Sequence, residues 1–200
     1  MSFSVCGIKV EITFLFVAFI SFLISLKVPA NVFFTVISSL FHELGHLFVM
    51  LILNTKPQKV RFELTGINII RQNSVLSPKD EVFTALGGPL FNGLLLVLSC
   101  ILLCFYENEG LMTFACTNLI LMVFNLLPIK KLDGGIVLYN MLIQFLSLEK
   151  ILIIQKCISI FFILIIYIWG IYAFYASRFN FSLIIIAIFL TLSLVSDKEC

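Results

Sequence analysis

The sequence predicts an all-α polytopic membrane protein with about six transmembrane helices and a small β-hairpin or strand segment between the second and third. Two observations lead to this class. Of the 200 residues, 61% are hydrophobic and 12% are charged, and the mean hydropathy of +1.15 is far above that of soluble domains. Apolar stretches long enough for the roughly 30 Å hydrocarbon core of a bilayer also recur along the whole chain.

Six apolar stretches are the predicted spans: Ile12 to Leu26, Asn31 to Leu53, Val82 to Cys104, Leu111 to Leu127, Ile151 to Ala176 and Phe179 to Ser196. The first is short, and the KVPAN that follows it also fits a signal-peptide cleavage region. We retain it as a span because Lys27 interrupts that pattern and the later topology requires it. No connecting segment is long or polar enough for a separate soluble domain, so residues 1–200 are predicted to form one domain.

The positive charges predict how the chain is oriented in the membrane. With the N-terminus in the cytoplasm, two of the 13 Lys and Arg residues, Lys27 and Arg178, lie on outer segments and the other eleven lie on inner ones. This bias predicts that both termini are cytoplasmic. The net charge of +2 gives no reason to expect a nucleic-acid partner. The six cysteines show no metal-type spacing, and we expect no disulfides.

A polar segment between the second and third spans predicts two short strands. Val60, Phe62 and Leu64 alternate with polar residues, Gly66 interrupts the pattern, and INII follows. An interfacial loop with chance alternation remains the alternative. If strands form between Val60 and Ile70, their edge offers unpaired amides to an extended peptide.

The motif HELGH in the second span indicates a metal site. His42 and His46 are the only histidines in the chain, and they lie four residues apart, so their imidazoles can meet one ion on a helix face. Glu43 projects from the adjoining turn. This is an HExxH pattern, in which two histidines hold Zn²⁺ and the glutamate activates a water molecule. Interhelical hydrogen-bonding histidines are the alternative.

A catalytic zinc takes three protein ligands and keeps one position open. Because no third histidine exists, the third ligand must be a carboxylate from this set: Glu11, Glu63, Asp80, Glu81, Glu107, Glu109, Asp133, Glu149, Asp197 and Glu199. We favour Asp133, because Pro128 and two glycines surround it with irregular backbone of the kind that lines cavities at membrane depth. Asp133 falls past the end of the fourth predicted span, so either the segment after Pro128 folds back or the fourth helix sits deep.

Three motifs together resemble the site-2 protease family of intramembrane zinc metalloproteases. HELGH is followed by ALGGPLFNG, which is similar to the family's GP-x-x-N segment, and then by NLLPIKKLDGG, which is similar to its N-x-x-P-x-x-x-x-D-G motif. The short N-terminus and six predicted spans are most similar to the stage IV sporulation protein FB branch, without that branch's CBS domain. Lys130 and Lys131 stand where the family often has prolines.

The resemblance implies one Zn²⁺ per chain, held by His42, His46 and Asp133, with Glu43 as the catalytic acid and base. It also implies that Asn125 binds the extended substrate. Asn92 needs a polar partner within lipid, and we expect it to support the zinc site from behind the ligands. Gly88 and Pro89 are expected to serve packing alone. Ala85, Gly88 and Asn92 share one helix face, where small residues permit close helix approach.

The expected reaction is hydrolysis of a peptide bond in or near the membrane segment of a membrane-associated precursor protein. Such a helix must unwind locally, and water must reach the site through a channel that opens to the cytoplasm. The resemblance points to a pro-sigma or other transcription-factor precursor, to inhibitory or regulatory membrane proteins as partners, and to sporulation in the inner membrane of a bacterium.

Two other classes of protein remain open. A catalytically inactive membrane scaffold of the same fold would need no metal. An ion-coupled transporter would use the intramembrane charges to bind its ion. A di-iron oxidase is excluded, because it would need many more histidines than two.

Overall fold

The computed structural model describes residues 2–5, 8–12, 30–55, 57–63, 66–71, 77–176 and 181–196. It is mostly helical, as predicted. Its six described helices, in chain order, are α1 (Ala30–Ile52), α2 (Pro78–Leu103), α3 (Glu109–Asn125), α4 (Asp133–Leu142), α5 (Leu148–Ala176) and α6 (Ser182–Ser196). The chain forms two compact units, Met1–Phe124 and Asn125–Cys200.

Three of the described helices are long and apolar enough to cross a membrane. They cover Val32–Ile52, Pro78–Leu103 and Leu148–Ala176, with mean hydropathies of 1.5, 2.1 and 2.6. Two more apolar helices, Glu109–Asn125 and Ser182–Val195, are shorter. The described residues thus provide fewer full-length spans than the six predicted. Residues 13–26 of the first predicted span lie outside the described residues.

Four strands form a sheet in the order β1 (Ser2–Val5), β2 (Ile8–Ile12), β3 (Pro57–Glu63) and β4 (Gly66–Arg71). Strands β3 and β4 are antiparallel and lie in the segment for which the sequence predicts a hairpin. Strand β2 pairs with β1 in antiparallel and with β3 in parallel orientation. The sequence analysis did not predict β1 or β2, and it began a helix at Ile12, where β2 ends.

In the first unit, α1 and α2 approach closely where two glycines meet. A Cβ atom added to Gly87 would lie 2.6 Å from the carbonyl oxygen of Gly45, and one added to Gly45 would overlap the carbonyl oxygen of Gly87. The absence of both side chains therefore permits the contact. Helix α2 begins at a defined cap, because Ser77 Oγ accepts a hydrogen bond from the amide of Asp80 and Pro78 occupies the first turn.

In the second unit, the chain turns sharply just before α4. Pro128 cannot continue a helix, and the backbone turns so that Gly134 lies against the carbonyl groups of Leu126 and Leu127. Gly135 lies equally close to the carbonyl of Ile129. This turn lies in the segment after Pro128, and the depth of Asp133 in the membrane stays a prediction.

Helix α5 anchors this turn through two buried polar side chains. Ser159 Oγ accepts a 3.0 Å hydrogen bond from the amide of Lys130, and Gln155 Nε2 donates a 2.9 Å bond to the carbonyl of Gly135. Gln155 is 3% exposed and Ser159 is fully buried. Because the two bonds hold the backbone on both sides of Asp133, they fix where α4 begins.

Candidate metal centre

Helix α1 brings the two histidines together on one face, one turn apart. The Nε2 atoms of His42 and His46 are 3.2 Å apart, and the two rings meet edge to face, with centroids 4.8 Å apart and an interplanar angle of 87°. His42 is 7% exposed and His46 is partly buried. The spacing of four residues in HELGH thus has the geometric effect that the sequence predicts.

The Nδ1 atom of each ring is hydrogen-bonded to a residue of α2. His46 Nδ1 donates a 2.7 Å hydrogen bond to the carbonyl oxygen of Thr84, and His42 Nδ1 donates a 2.7 Å bond to Asn92 Oδ1. A carbonyl oxygen only accepts hydrogen bonds, so the proton of each neutral ring lies on Nδ1. Both Nε2 atoms then carry lone pairs that point toward each other.

Two lone pairs 3.2 Å apart repel each other unless a cation lies between them. Zinc-binding histidines commonly have this arrangement, in which the ring nitrogen away from the metal donates to a carbonyl oxygen or another acceptor. The donor set therefore fits a Zn²⁺ ion, and it provides two of the three protein ligands that a catalytic zinc requires.

Gly88 borders the same pair of nitrogens. A Cβ atom there would lie 2.5 Å from His46 Nε2 and 2.7 Å from His42 Nε2. The missing side chain therefore leaves room beside both candidate ligand atoms. The sequence analysis assigned Gly88 to packing alone, and the structure shows that it also borders the candidate site.

Asn92 is hydrogen-bonded to His42, and its predicted role in supporting a zinc site stays a prediction. Its side chain is fully buried, and its amide nitrogen donates to the carbonyl of Ser38 at 3.3 Å and to Asn118 Oδ1 at 2.9 Å. The sequence analysis did not identify Asn118 or Thr84. Asn118 is an isolated amide in an apolar stretch, a pattern that indicates a buried polar contact. Thr84 contributes its backbone carbonyl, which no side-chain pattern in the sequence indicates.

Of the remaining predicted site residues, Glu43 belongs to the first unit, and Asn125 and Asp133 belong to the second. Glu43 follows His42 on α1 and is half-buried. Asn125 is the last residue of α3, and Asp133 is the first residue of α4 and half-buried. The structure thus brings together His42, His46 and Asn92. The roles of Glu43, Asn125 and Asp133 remain predictions.

No protein-family profile matches the chain. Among curated proteins, it is 28% identical over 148 residues to Zinc metalloprotease MJ0392 from Methanocaldococcus jannaschii. That match covers 68% of this chain and 43% of the relative, so the match spans less than half of the curated protein's length.

A solved structure described as Site-2 Protease from Methanocaldococcus jannaschii has a similar fold. It superimposes with a TM-score of 0.67 and 22% sequence identity, covering 100% of this chain and 95% of the other. Together with the apolar helices, this likeness identifies the chain as a membrane protein with the fold of that protease.

Proposed function

We propose that this chain is a zinc metalloendopeptidase of the site-2 protease type, which hydrolyses a peptide bond in or near the membrane segment of a membrane-associated precursor. One observation carries the proposal: the Nε2 atoms of the two imidazoles on an apolar helix are 3.2 Å apart, while both Nδ1 atoms lie 2.7 Å from oxygen acceptors. The curated relative described as a zinc metalloprotease and the shared fold support it.

One Zn²⁺ per chain would be held by His42, His46 and Asp133. Two imidazoles and one carboxylate are a donor set that zinc accepts, and these three residues would supply it. When bound, zinc supplies a Lewis acid that polarises the scissile carbonyl and makes water a nucleophile near neutral pH. Asn92 and the carbonyl of Thr84 hold the imidazoles in the orientation that zinc requires.

Glu43 serves as the acid and base of the reaction. A carboxylate next to the ligand His42 can take a proton from the attacking water and return it to the leaving amine. The apolar surroundings of α1 strengthen this exchange, because charges interact more strongly where bulk water is excluded.

The substrate must present an extended backbone, because helical carbonyls are buried in their own hydrogen bonds. Strand β4 is at the edge of the sheet and offers backbone groups that pair with an unwound segment. Phe62 in β3 is aligned with both Ile12 and Ile67, so a proline there removes a donor from a strand with two neighbours. An undiminished cleavage rate in Phe62→Pro would contradict this role of the sheet edge. We assign to Asn125 the binding of the same extended substrate.

The cellular setting is also part of the proposal. The charge bias of the loops favours a site that opens to the cytoplasm in a bacterial cell membrane, with both termini on that side. The motif resemblance favours a pro-sigma or other transcription-factor precursor as substrate, and inhibitory or regulatory membrane proteins as partners in sporulation.

The first test combines metal content with cleavage. The purified protein is expected to contain one zinc per chain, and His42→Ala is expected to lose it. In cells that also express candidate membrane-tethered precursors, Glu43→Gln is expected to abolish cleavage, at least about 100-fold, while zinc is retained. Glu109→Gln makes the same chemical change at an exposed position and serves as the matched control.

Other outcomes separate the rival classes. Protein without zinc, in which His42→Ala changes nothing, would identify an inactive scaffold. Ion flux in proteoliposomes that persists in Glu43→Gln would identify a transporter.

A further inference from the structure

Asn118, on α3, is connected to His42 through a chain of directional hydrogen bonds. Asn118 Nδ2 donates to the carbonyl of Phe114 at 2.9 Å, Asn118 Oδ1 accepts from Asn92 Nδ2 at 2.9 Å, and Asn92 Oδ1 accepts from His42 Nδ1 at 2.7 Å. Both asparagine side chains are fully buried. The chain therefore runs without exposure to solvent from a backbone carbonyl to the imidazole.

The carbonyl of Phe114 fixes the direction of every bond in this chain. Because a carbonyl cannot donate, the amino group of Asn118 must face it, which turns the Asn118 oxygen toward Asn92. The amino group of Asn92 then faces Asn118, and its oxygen faces His42. A ring nitrogen opposite an oxygen must carry the proton, so the lone pair of His42 lies on Nε2.

A second and longer hydrogen bond also holds the side chain of Asn92. Its amino group also donates to the carbonyl of Ser38, at 3.3 Å against 2.9 Å for the bond to Asn118. Loss of the Asn118 oxygen would leave a buried N–H of Asn92 without its shorter bond. A buried N–H left without its partner costs free energy, so this loss narrows the free-energy difference between the two orientations of the Asn92 amide.

We propose that Asn118 is a positioning residue that sets the tautomer of His42, and through it the affinity of the zinc site. The claimed effect on zinc affinity rests on the proposed function. Its structural claim, that Asn118 together with the Ser38 carbonyl favours the His42 proton on Nδ1, stands independently of zinc.

The test uses the purified full chain with and without metal. The chain contains two histidines, so ¹⁵N-histidine labelling yields only two sets of ring signals, and His46→Ala assigns them. In metal-free wild type, both rings are expected to carry the proton on Nδ1. In Asn118→Leu, His42 is expected to show a measurable Nε2-protonated fraction. His46 is expected to stay unchanged, because the carbonyl of Thr84 holds it.

Zinc affinity is measured on the same proteins by competition with a chelator. Asn118→Leu is expected to bind zinc about 10-fold more weakly, as is typical when a partner of a ligand is lost. Asn118→Asp keeps an oxygen toward Asn92 but sets its second oxygen against the Phe114 carbonyl, so it is also expected to bind zinc more weakly than wild type. Thr117→Val is the matched control, since the Thr117 hydroxyl donates to the Thr113 carbonyl within the same helix.

A double-variant cycle shows whether Asn118 acts through Asn92. Asn92→Leu alone should weaken zinc binding, and adding Asn118→Leu should weaken it no further. A full additional 10-fold loss would overturn the proposal, as would weaker zinc binding in Asn118→Leu with an unchanged His42 tautomer. If wild type binds no zinc but the tautomer shifts in Asn118→Leu, the proposed function fails and the positioning role stands.

Discussion

Two adjacent glycines of α2 have different neighbours, although both are buried. Gly87 lies against the backbone of Gly45 and permits the close approach of α1 and α2. Gly88 lies against the imidazoles of His42 and His46 and permits the nitrogens to converge. One residue therefore serves helix packing, and the next borders the candidate metal site.

Gly88→Ala is expected to weaken zinc binding about 10-fold or more, because the added methyl group would have to displace both imidazoles. Chelator competition on purified protein measures the effect. Gly93→Ala is the matched control on the same helix, where the added Cβ would meet only the flexible Met122 side chain, at 3.1 Å from its sulfur. Equal zinc affinity in Gly88→Ala and Gly93→Ala would show that Gly88 has no part in the site.

The sequence could predict those residues of the site that carry a side-chain signature. His42 and His46 followed from spacing, and Asn92 from the cost of an amide in lipid. Asn118 carries the same signature, an amide side chain in an apolar stretch. The Thr84 carbonyl and the opening at Gly88 could not be predicted, because both depend on how α2 is rotated against α1, and no local pattern determines that rotation.

At the scale of elements, the turn before α4 depends on α5. The amide of Lys130 donates to Ser159 Oγ, which in turn donates to the carbonyl of Gln155 at 2.7 Å. Ser159 therefore connects an irregular segment to a regular helix. Its removal takes a buried acceptor away from the backbone three residues before Asp133.

Ser159→Ala is expected to lower the free energy of unfolding by about 1–3 kcal/mol, the usual cost of removing the partner of a buried polar group. Denaturant unfolding in detergent micelles measures it. Ser99→Ala is the control, because Ser99 is also buried but its hydroxyl donates to the Leu95 carbonyl within its own helix. Equal losses in the two variants would mean that the bond to Lys130 adds nothing to stability.

Helices were more predictable than strands because their signal is local. The fourth predicted span ran to Leu127, whereas α3 ends at Asn125, as expected when Pro128 disfavours helical backbone in the residue before it. Strands β2 and β3 pair in parallel although Lys9 and Lys59 are far apart in the chain. Such pairing depends on the tertiary fold, and no pattern around Ile8–Ile12 indicates it.

At the scale of the whole molecule, exposed aromatic side chains cluster at helix ends within each unit. In α5, Trp169, Tyr172 and Tyr175 are 63%, 67% and 80% exposed, close to the end of the helix at Ala176. Just after α2, Phe105 and Tyr106 are 75% and 69% exposed. Tryptophan and tyrosine are enriched where a membrane meets water, so both helix ends fit the level of the lipid headgroups.

The charge bias predicts that both of these helix ends face away from the cytoplasm, and α2 allows a test within one unit. Its 26 residues span about 39 Å at 1.5 Å per residue, enough to separate Lys79 at the start from Glu107 after the end. In a cysteine-free background, a membrane-impermeant maleimide is expected to label Glu107→Cys in intact cells and Lys79→Cys only after permeabilisation. Both positions are exposed, so accessibility within the protein does not limit either reaction. Labelling of Lys79→Cys alone in intact cells would reverse the orientation, and labelling of both would show that α2 does not separate the two sides of the membrane.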